Sequence, residues 1–124
     1  MGKLVGNYRV NQKMTSPGTD TATITGHEVG RGEIAILTFM SIIDYTHNEN
    51  ELMLGFKDAS GSEHMLDFAL GTATDVRQSC KIEGEVILLP GDKPFGRVLS
   101  PTASDVIYFS AHGGLYSMEE GGAA

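Results

Sequence analysis

The chain lacks most of the features that identify a membrane protein or a secreted one. It has 124 residues with a single cysteine, Cys80. One cysteine excludes an internal disulfide framework, which favours a reducing compartment or a particle assembled in one. No apolar run has the length of a signal-peptide core or of a membrane-spanning helix. We therefore expect a soluble protein that is not secreted by a signal peptide and has no membrane partner.

Positive charge is also scarce, and it is unevenly distributed. Nine Lys and Arg stand against sixteen Asp and Glu, a formal net charge of −7. Lys3, Arg9 and Lys13 all lie within residues 1–19, which contain no acid, so six bases and sixteen acids remain in the rest of the chain. An acidic body argues against nucleic acid as a partner. A basic segment on such a body predicts docking on an acidic protein surface.

Motifs for nucleophilic catalysis and for phosphate binding are missing. The sequence contains no Gly-x-Ser-x-Gly elbow and no Gly-rich loop opening a helix. Cys80 has Lys81 beside it but no evident histidine partner, and a lone cysteine in an apolar strand is most often a small packing residue. We therefore predict no catalytic residue, and a protein that is not an enzyme.

The histidines do not form a metal-binding pattern. They are His27, His47, His64 and His112, each on a separate predicted segment. His64 lies beside a hairpin loop on an apolar face, which favours a partly buried structural histidine. His47 stands in an acidic segment without the regular spacing of a calcium loop, and His112 precedes Gly113-Gly114, which predicts a turn. We predict no metal and no cofactor, while the sequence leaves open that distant histidines converge.

The stretch Gly84 to Pro101, "GEVILLPGDKPFGRVLSP", invites comparison with a metal-binding cupin. Cupins carry two histidines one residue apart in a first signature, and no such pair occurs in this chain. Their second signature continues from a Gly and a Pro to a histidine ligand. Gly84 and Pro90 keep the first spacing, but Leu99 stands in the place of the ligand. The pattern therefore predicts a corner between two strands without metal chemistry.

Strand signals dominate the whole chain. About eight to nine short segments alternate apolar and polar residues between clusters of Gly, Pro, Ser and Asp, and no segment keeps a helical period. This pattern predicts an all-β fold, an antiparallel β-sandwich or a jelly-roll-like small barrel. We expect an extended N-terminal arm over residues 1–19, a single β-sandwich domain over residues 20–118 and a flexible tail over residues 119–124.

The most apolar segment runs from Gly32 to Ile43, and its alternation places apolar residues on both faces. A strand of this kind must be covered on both sides. One side would use the domain core, and the other would need a second layer, the N-terminal arm or another subunit. Together with the arm, this gives the following predicted partner-binding residues: Lys3, Tyr8, Arg9, Lys13, Ile34, Ile36 and Met40.

The layout resembles the small β-sandwich proteins that decorate or cement the capsids of tailed bacteriophages. The resemblance rests on the arm "MGKLVGNYRVNQKM", the Thr-rich segment "TDTATITG", a compact β core and a glycine-rich end. It implies a non-enzymatic structural protein of the virion, assembled in the host cytoplasm. It also implies a homo-oligomer such as a trimer whose arms lie across a major capsid protein. No individual functional residue follows from it.

Two other functions stay open at this point. One is a cupin-like or jelly-roll domain that binds a small molecule or a carbohydrate, with or without catalysis. The other is a tail or baseplate component of the same kind of particle. Under the capsid hypothesis, removing residues 1–14 should abolish binding to the assembly and leave the β core folded.

Overall fold

The computed structural model describes residues 2–16, 18, 21–45, 51–70, 78–99, 101 and 104–118. These residues form eight strands and no helix, hence none long and apolar enough to cross a membrane. The strands are β1 (Leu4–Thr15), β2 (Ala22–Thr25), β3 (Glu33–Asp44), β4 (Glu51–Lys57), β5 (Glu63–Leu70), β6 (Gln78–Leu88), β7 (Lys93–Val98) and β8 (Val106–Ser117). The predicted tail and His47 lie outside the described residues.

The strands form two four-stranded antiparallel sheets. The first sheet has the order β1-β8-β3-β6 and the second has the order β2-β7-β4-β5. Strands pair as β1 with β8, β2 with β7, β3 with β6 and β4 with β5. The chain is thus one long hairpin rolled over two layers, which is the jelly-roll arrangement. The predicted antiparallel β-sandwich is confirmed.

The hydrophobic core fills the space between the two sheets. Its fully buried large side chains are Tyr8, Leu37, Met40, Ile42, Leu52, Leu54, Leu88, Ile107 and Phe109. Each such side chain contributes about 1.5–3 kcal/mol by leaving water. Both sheets and both chain halves supply members, so neither sheet has a complete core without the other.

Residues 4–15 are extended, as predicted, but they belong to the sandwich rather than to an arm that leaves it. β1 pairs with β8 along its whole length. Tyr8 and Val10 point inward and are 1% and 3% exposed, and the Tyr8 hydroxyl donates a hydrogen bond to the His27 carbonyl at 2.5 Å. The domain therefore begins at β1 and not at residue 20. Removing residues 1–14 would take side chains out of the core, so that deletion does not separate binding from folding.

A β-bulge in β3 changes which side chains face the core. The pairing register shifts between Leu37 and Phe39 against both neighbouring strands, which leaves Thr38 as an extra residue. A bulge of this kind breaks the alternation of a strand. Leu37 and Met40 therefore both face the core, and Phe39 points to the opposite side. The prediction that Met40 faces a partner is wrong, since Met40 is fully buried.

The predicted turn at Gly113-Gly114 is also wrong, because β8 runs through both glycines without interruption. A Cβ atom on Gly113 would lie 2.1 Å from the Ile36 carbonyl oxygen and 2.5 Å from the Leu37 Cα. Glycine is required here because the bulged backbone of β3 approaches β8 closely. The glycine marks a close contact between two central strands.

The corner between β6 and β7 forms as the sequence predicts. Pro90 and Gly91 occupy the middle of a turn, and Gly91 has a positive φ of 90°. The Asp92 amide donates to the Leu89 carbonyl at 3.0 Å, while the Asp92 carboxylate accepts from the Leu89 amide at 2.8 Å. A Pro followed by a residue with positive φ is typical of a type II turn.

Replacing Gly113 by alanine should destabilise the fold. The added methyl group meets backbone atoms of β3, which cannot move without disturbing both pairings of that strand, so we expect the free energy of unfolding to fall by about 2 kcal/mol or more. Urea unfolding followed by circular dichroism measures the loss. Gly6→Ala is the matched control, because the nearest atom to its built Cβ is Leu115 Cδ1 at 4.0 Å. Equal losses in the two variants would contradict the close-contact explanation.

Candidate interaction surface

Most of the predicted partner-binding residues that are not in the core lie on one surface. We call it the outer face: the side chains of the first sheet that point away from the core. It carries Leu4, Asn7, Arg9, Asn11 and Lys13 of β1; Tyr108, Ser110, His112 and Tyr116 of β8; Ile34, Ile36, Phe39 and Ile43 of β3; and Lys81, Glu83, Glu85 and Ile87 of β6.

The strand registers align these side chains in rows across the sheet. In the middle row Arg9 is opposite His112, His112 is opposite Phe39, and Phe39 is opposite Glu83. Neighbouring strands lie about 4.8 Å apart, so the row spans about 14 Å. The rings of Phe39 and His112 are in contact, with centroids 6.0 Å apart. Asn11 Oδ1 links this row to the next, lying 3.2 Å from His112 Nε2 and accepting a hydrogen bond from Ser110 Oγ at 2.9 Å.

The outer face carries apolar side chains that are incompletely covered, on its central strand β3 and on both edge strands. Ile34, Ile36 and Phe39 on β3 are only partly buried by their neighbours. Ile87 on β6 is 52% exposed, and Leu4 on β1 is 57% exposed. An antiparallel sheet commonly has one apolar and one polar face, and a contiguous exposed apolar surface typically marks an interaction site. The outer face is therefore the strongest candidate surface of the described chain.

The two edges of the outer face carry opposite charge. Arg9 and Lys13 on β1 form a basic edge, and within the described residues neither has an ion-pair partner. Glu83 and Glu85 on β6 form an acidic edge, moderated by Lys81, whose Nζ lies 3.5 Å from a Glu83 carboxylate oxygen. The face thus changes from basic to apolar to acidic across four strands.

The outer side of the second sheet differs, because its own side chains cover its centre. The Arg97 guanidinium donates two hydrogen bonds to the Glu63 carboxylate, at 2.9 and 2.8 Å, and a third to Thr23 Oγ1 at 2.8 Å. It also lies 4.5 Å from the centre of the Phe95 ring. The hydrogen bond with Arg97 holds the pKa of Glu63 below its usual range. Exposed apolar side chains remain on β5, among them Met65 at 60%.

The structure separates the predicted partner-binding residues into three groups. Arg9, Lys13, Ile34 and Ile36 lie together on the outer face, at the positions just described. Lys3 is exposed beside one end of this face, where its carbonyl accepts a hydrogen bond from the Ser117 amide at 2.9 Å. Tyr8 and Met40 are core residues and do not belong to the surface.

Sequence reasoning missed Phe39, His112 and Glu83. Regular alternation along β3 puts Phe39 on the side opposite to Ile34 and Ile36, because it takes no account of the bulge at Thr38. His112 was placed in a turn because of the two glycines that follow it. Glu83 carried a usable signal: residues 81–87 alternate charged or polar positions with Ile82 and Val86, which is typical of a half-exposed strand.

The described histidines lie in separate environments. The His27 ring stacks on Tyr8 with centroids 4.2 Å apart, and the His64 ring stacks on Phe56 at 4.7 Å. The His64 side chain is 47% exposed, so it is about half-buried, against Phe56 and Asp58. Among the residues that the structure describes, no group of three or more His, Cys, Asp or Glu could hold a metal ion.

Asp58 organises the loop between β4 and β5. Its carboxylate binds His64 Nε2 at 2.7 Å and accepts hydrogen bonds from the Ser60 hydroxyl, at 2.6 Å, and from the amides of Ser60 and Ser62. The hydrogen bonds from His64 and Ser60 hold the pKa of Asp58 well below its usual range. Ser60 donates to the carboxylate and not to the histidine, so these residues hold the loop without forming a nucleophile–base pair.

Cys80 should be chemically inert in the folded protein. Burial raises the pKa of its thiol to about 12, with a further contribution from Asp67. At pH 8 we expect no reaction with a thiol reagent until the protein is unfolded, when one equivalent should react. Because folding raises the pKa of the Cys80 thiol from 9.0 to about 12, this thiol leaves the free energy of unfolding unchanged below about pH 9. The free energy of unfolding should then fall as the pH rises towards 12. Cys80→Ala should lack this part of the pH dependence, and rapid labelling of the folded protein would contradict the assignment.

No protein-family model matches the chain, and no curated protein matches it significantly. Three solved structures illustrate its structural likenesses. The Drosophila NLP core, described in terms of pentamer formation and histone binding, is 12% identical over 91% of this chain and 100% of that chain, with a TM-score of 0.45. A virus-like particle of the extra small virus of the prawn Macrobrachium rosenbergii is 10% identical over 95% of this chain and 84% of that chain, with a TM-score of 0.40. TmCBM61, solved with β-1,4-galactotriose, is 11% identical over 93% of this chain and 87% of that chain, with a TM-score of 0.42.

These likenesses are to a viral particle protein, a pentamer-forming protein and a carbohydrate-bound protein. At such identities and TM-scores they carry no argument about what this chain does.

Proposed function

We propose that this chain is a non-enzymatic structural protein of a large assembly and that it acts through the outer face of its first sheet. The observation that carries the proposal is the exposed apolar surface of that face, formed by Ile36 and Phe39 on the central strand β3 and by Ile87 on the neighbouring edge strand β6. Covering such a surface with protein removes apolar area from water, a gain of about 25 cal/mol for each Å2 before the entropy lost on association is subtracted. The charged edges would then fix the orientation of the partner.

The specific form of the proposal is a virion decoration or cement protein, located in the particle and partnered by a major capsid protein. The eight-stranded jelly roll supports it, because capsid domains commonly use this fold. Lectins and cupins use it as well, so the fold alone does not decide. A tail or baseplate component would use the same surface in the same way.

The proposal predicts that one exposed residue of the outer face controls assembly. In lysates of the cells that naturally produce the chain, the wild-type protein should sediment with large particles. Ile87→Asp places a charge beside Ile36 on the apolar surface of the outer face and should move the protein to the slow fraction. Because Ile87 is 52% exposed, the variant should fold normally, and its thermal unfolding by circular dichroism checks this.

Met65→Asp is the matched control, since Met65 is 60% exposed on β5 of the other sheet. Gradient sedimentation with antibody detection gives the readout. A wild-type chain found only in the slow fraction, or an Ile87→Asp chain that stays with the particles, would contradict the proposal.

One observation favours a second candidate function, a domain that binds a carbohydrate or another small molecule. Tyr45 and Tyr108 form an edge-to-face pair with ring centroids 6.0 Å apart, and they are 52% and 38% exposed. Exposed aromatic rings with a polar tip suit ligands that present both an apolar and a hydroxylated face. The pair lies at one end of the outer face.

This second function predicts saturable ligand binding that depends on the tyrosine pair. A panel of soluble oligosaccharides followed by calorimetry should then yield a ligand whose affinity falls at least tenfold in Tyr108→Ala. Tyr116→Ala, a tyrosine at the opposite end of the same strand, serves as the control. If no oligosaccharide of the panel binds, or if both variants bind equally well, the tyrosine pair is not a binding site.

A further inference from the structure

We propose that the occupant of the outer face is a second copy of this chain, related by a two-fold axis that runs parallel to the strands between β8 and β3. This rests on the proposed function in one respect, that the outer face is buried in an assembly. It goes further by naming the occupant and its orientation. The order of charges along the rows of the sheet determines this orientation.

A two-fold axis parallel to the strands places the partner's sheet over the first with its strand order reversed. Each row of the first copy then lies over the same row of the partner. β1 then lies over the partner's β6, and β8 lies over the partner's β3. In the middle row, Arg9 faces the partner's Glu83, and Glu83 faces the partner's Arg9. At the centre of the same row, Phe39 faces the partner's His112. Each charged contact therefore joins opposite charges and occurs twice.

A two-fold axis perpendicular to the strands gives the opposite result. It places β1 over the partner's β1 and β6 over the partner's β6. Arg9 and Lys13 would then face the same basic edge, and Glu83 and Glu85 would face the same acidic edge. Juxtaposed like charges disfavour an interface. The charge pattern therefore selects the axis parallel to the strands.

The distribution of side chains also fits an interface between two copies. The apolar residues Ile34, Ile36 and Phe39 lie next to the axis, and the charged residues lie at the two edges. An apolar centre with a polar rim is the usual anatomy of a protein interface. The Arg9 guanidinium, which has no ion-pair partner in the part of the chain that the structure describes, gains a carboxylate partner in the dimer without burying either charge fully.

The available area is sufficient for such a dimer. Four strands at about 4.8 Å and rows repeated at about 6.8 Å over about 34 Å give the face on the order of 600 Å2. Counted for two copies, this reaches the lower end of the roughly 1,200–2,000 Å2 that stable interfaces bury. Packed sheets with aligned strands cross at about −30°, so facing residues move apart towards the strand ends. The row of Arg9 lies midway along the strands, where facing residues stay closest together.

Charge reversal tests the orientation directly. Sedimentation velocity of the full chain at low salt should show a concentration-dependent dimer. Arg9→Glu and Glu83→Arg should each weaken dimerisation about tenfold or more, because two attractive pairs become repulsive. The double variant R9E/E83R should recover the wild-type dissociation constant, as should an equimolar mixture of the two single variants. Arg31→Glu and Glu28→Arg, which make the same charge changes in the exposed loop before β3, should leave it unchanged.

The inference would be overturned if the chain stays monomeric at every concentration tested or forms a trimer. It would also be overturned if the single variants dimerise normally or if the double variant does not recover dimerisation. The proposed function fails separately. If Ile87→Asp leaves the particle fraction while the charge variants have no effect, the structural role stands and the dimer is wrong. If the charge variants behave as expected while Ile87→Asp stays with the particles, the dimer stands and the role of this face in the assembly is wrong.

Discussion

The contact between β3 and β8 is the constraint on which the rest of the molecule depends. These strands occupy the middle of the first sheet, and β8 also holds β1. At the bulge of β3 the backbones come so close that only glycine fits at Gly113. The extra residue reverses the facing of everything that follows it along β3. One local irregularity therefore decides both the composition of the core and the composition of the outer face.

The two sides of the first sheet are consequences of the same register. Met40 faces inward and completes the core, while Phe39, its neighbour, faces outward into the row that joins Arg9 to Glu83. On the outer side of the second sheet, Arg97 covers Phe95 and pairs with Glu63. The two sheets of one sandwich thus differ in exposure: the centre of the second sheet's outer side is covered by its own side chains, and that of the first sheet is only partly covered.

The class of fold could be predicted from sequence because it depends on features with a short range. Strand alternation and turn residues such as Pro90-Gly91 act over two to four positions and were interpreted correctly. The errors come from contacts between distant segments. Nothing near Thr38 indicates that a residue will be left unpaired there, and nothing near Gly113 distinguishes a turn from a close approach. Tyr8 was assigned to an arm because its burial depends on strands about 100 residues later.

Because the strand pairs are nested, the entropy lost on forming them differs from pair to pair. Strands β4 and β5 are joined by a short loop, whereas Asn11 and His112, in contact across β1 and β8, are 101 positions apart. The entropy lost in closing a loop rises with its length, so the innermost pair is the easiest to form and the outermost is the hardest. Topologies dominated by such distant contacts fold slowly. The strand that carries Arg9 can therefore take its place in the sheet only once β8 has been synthesised.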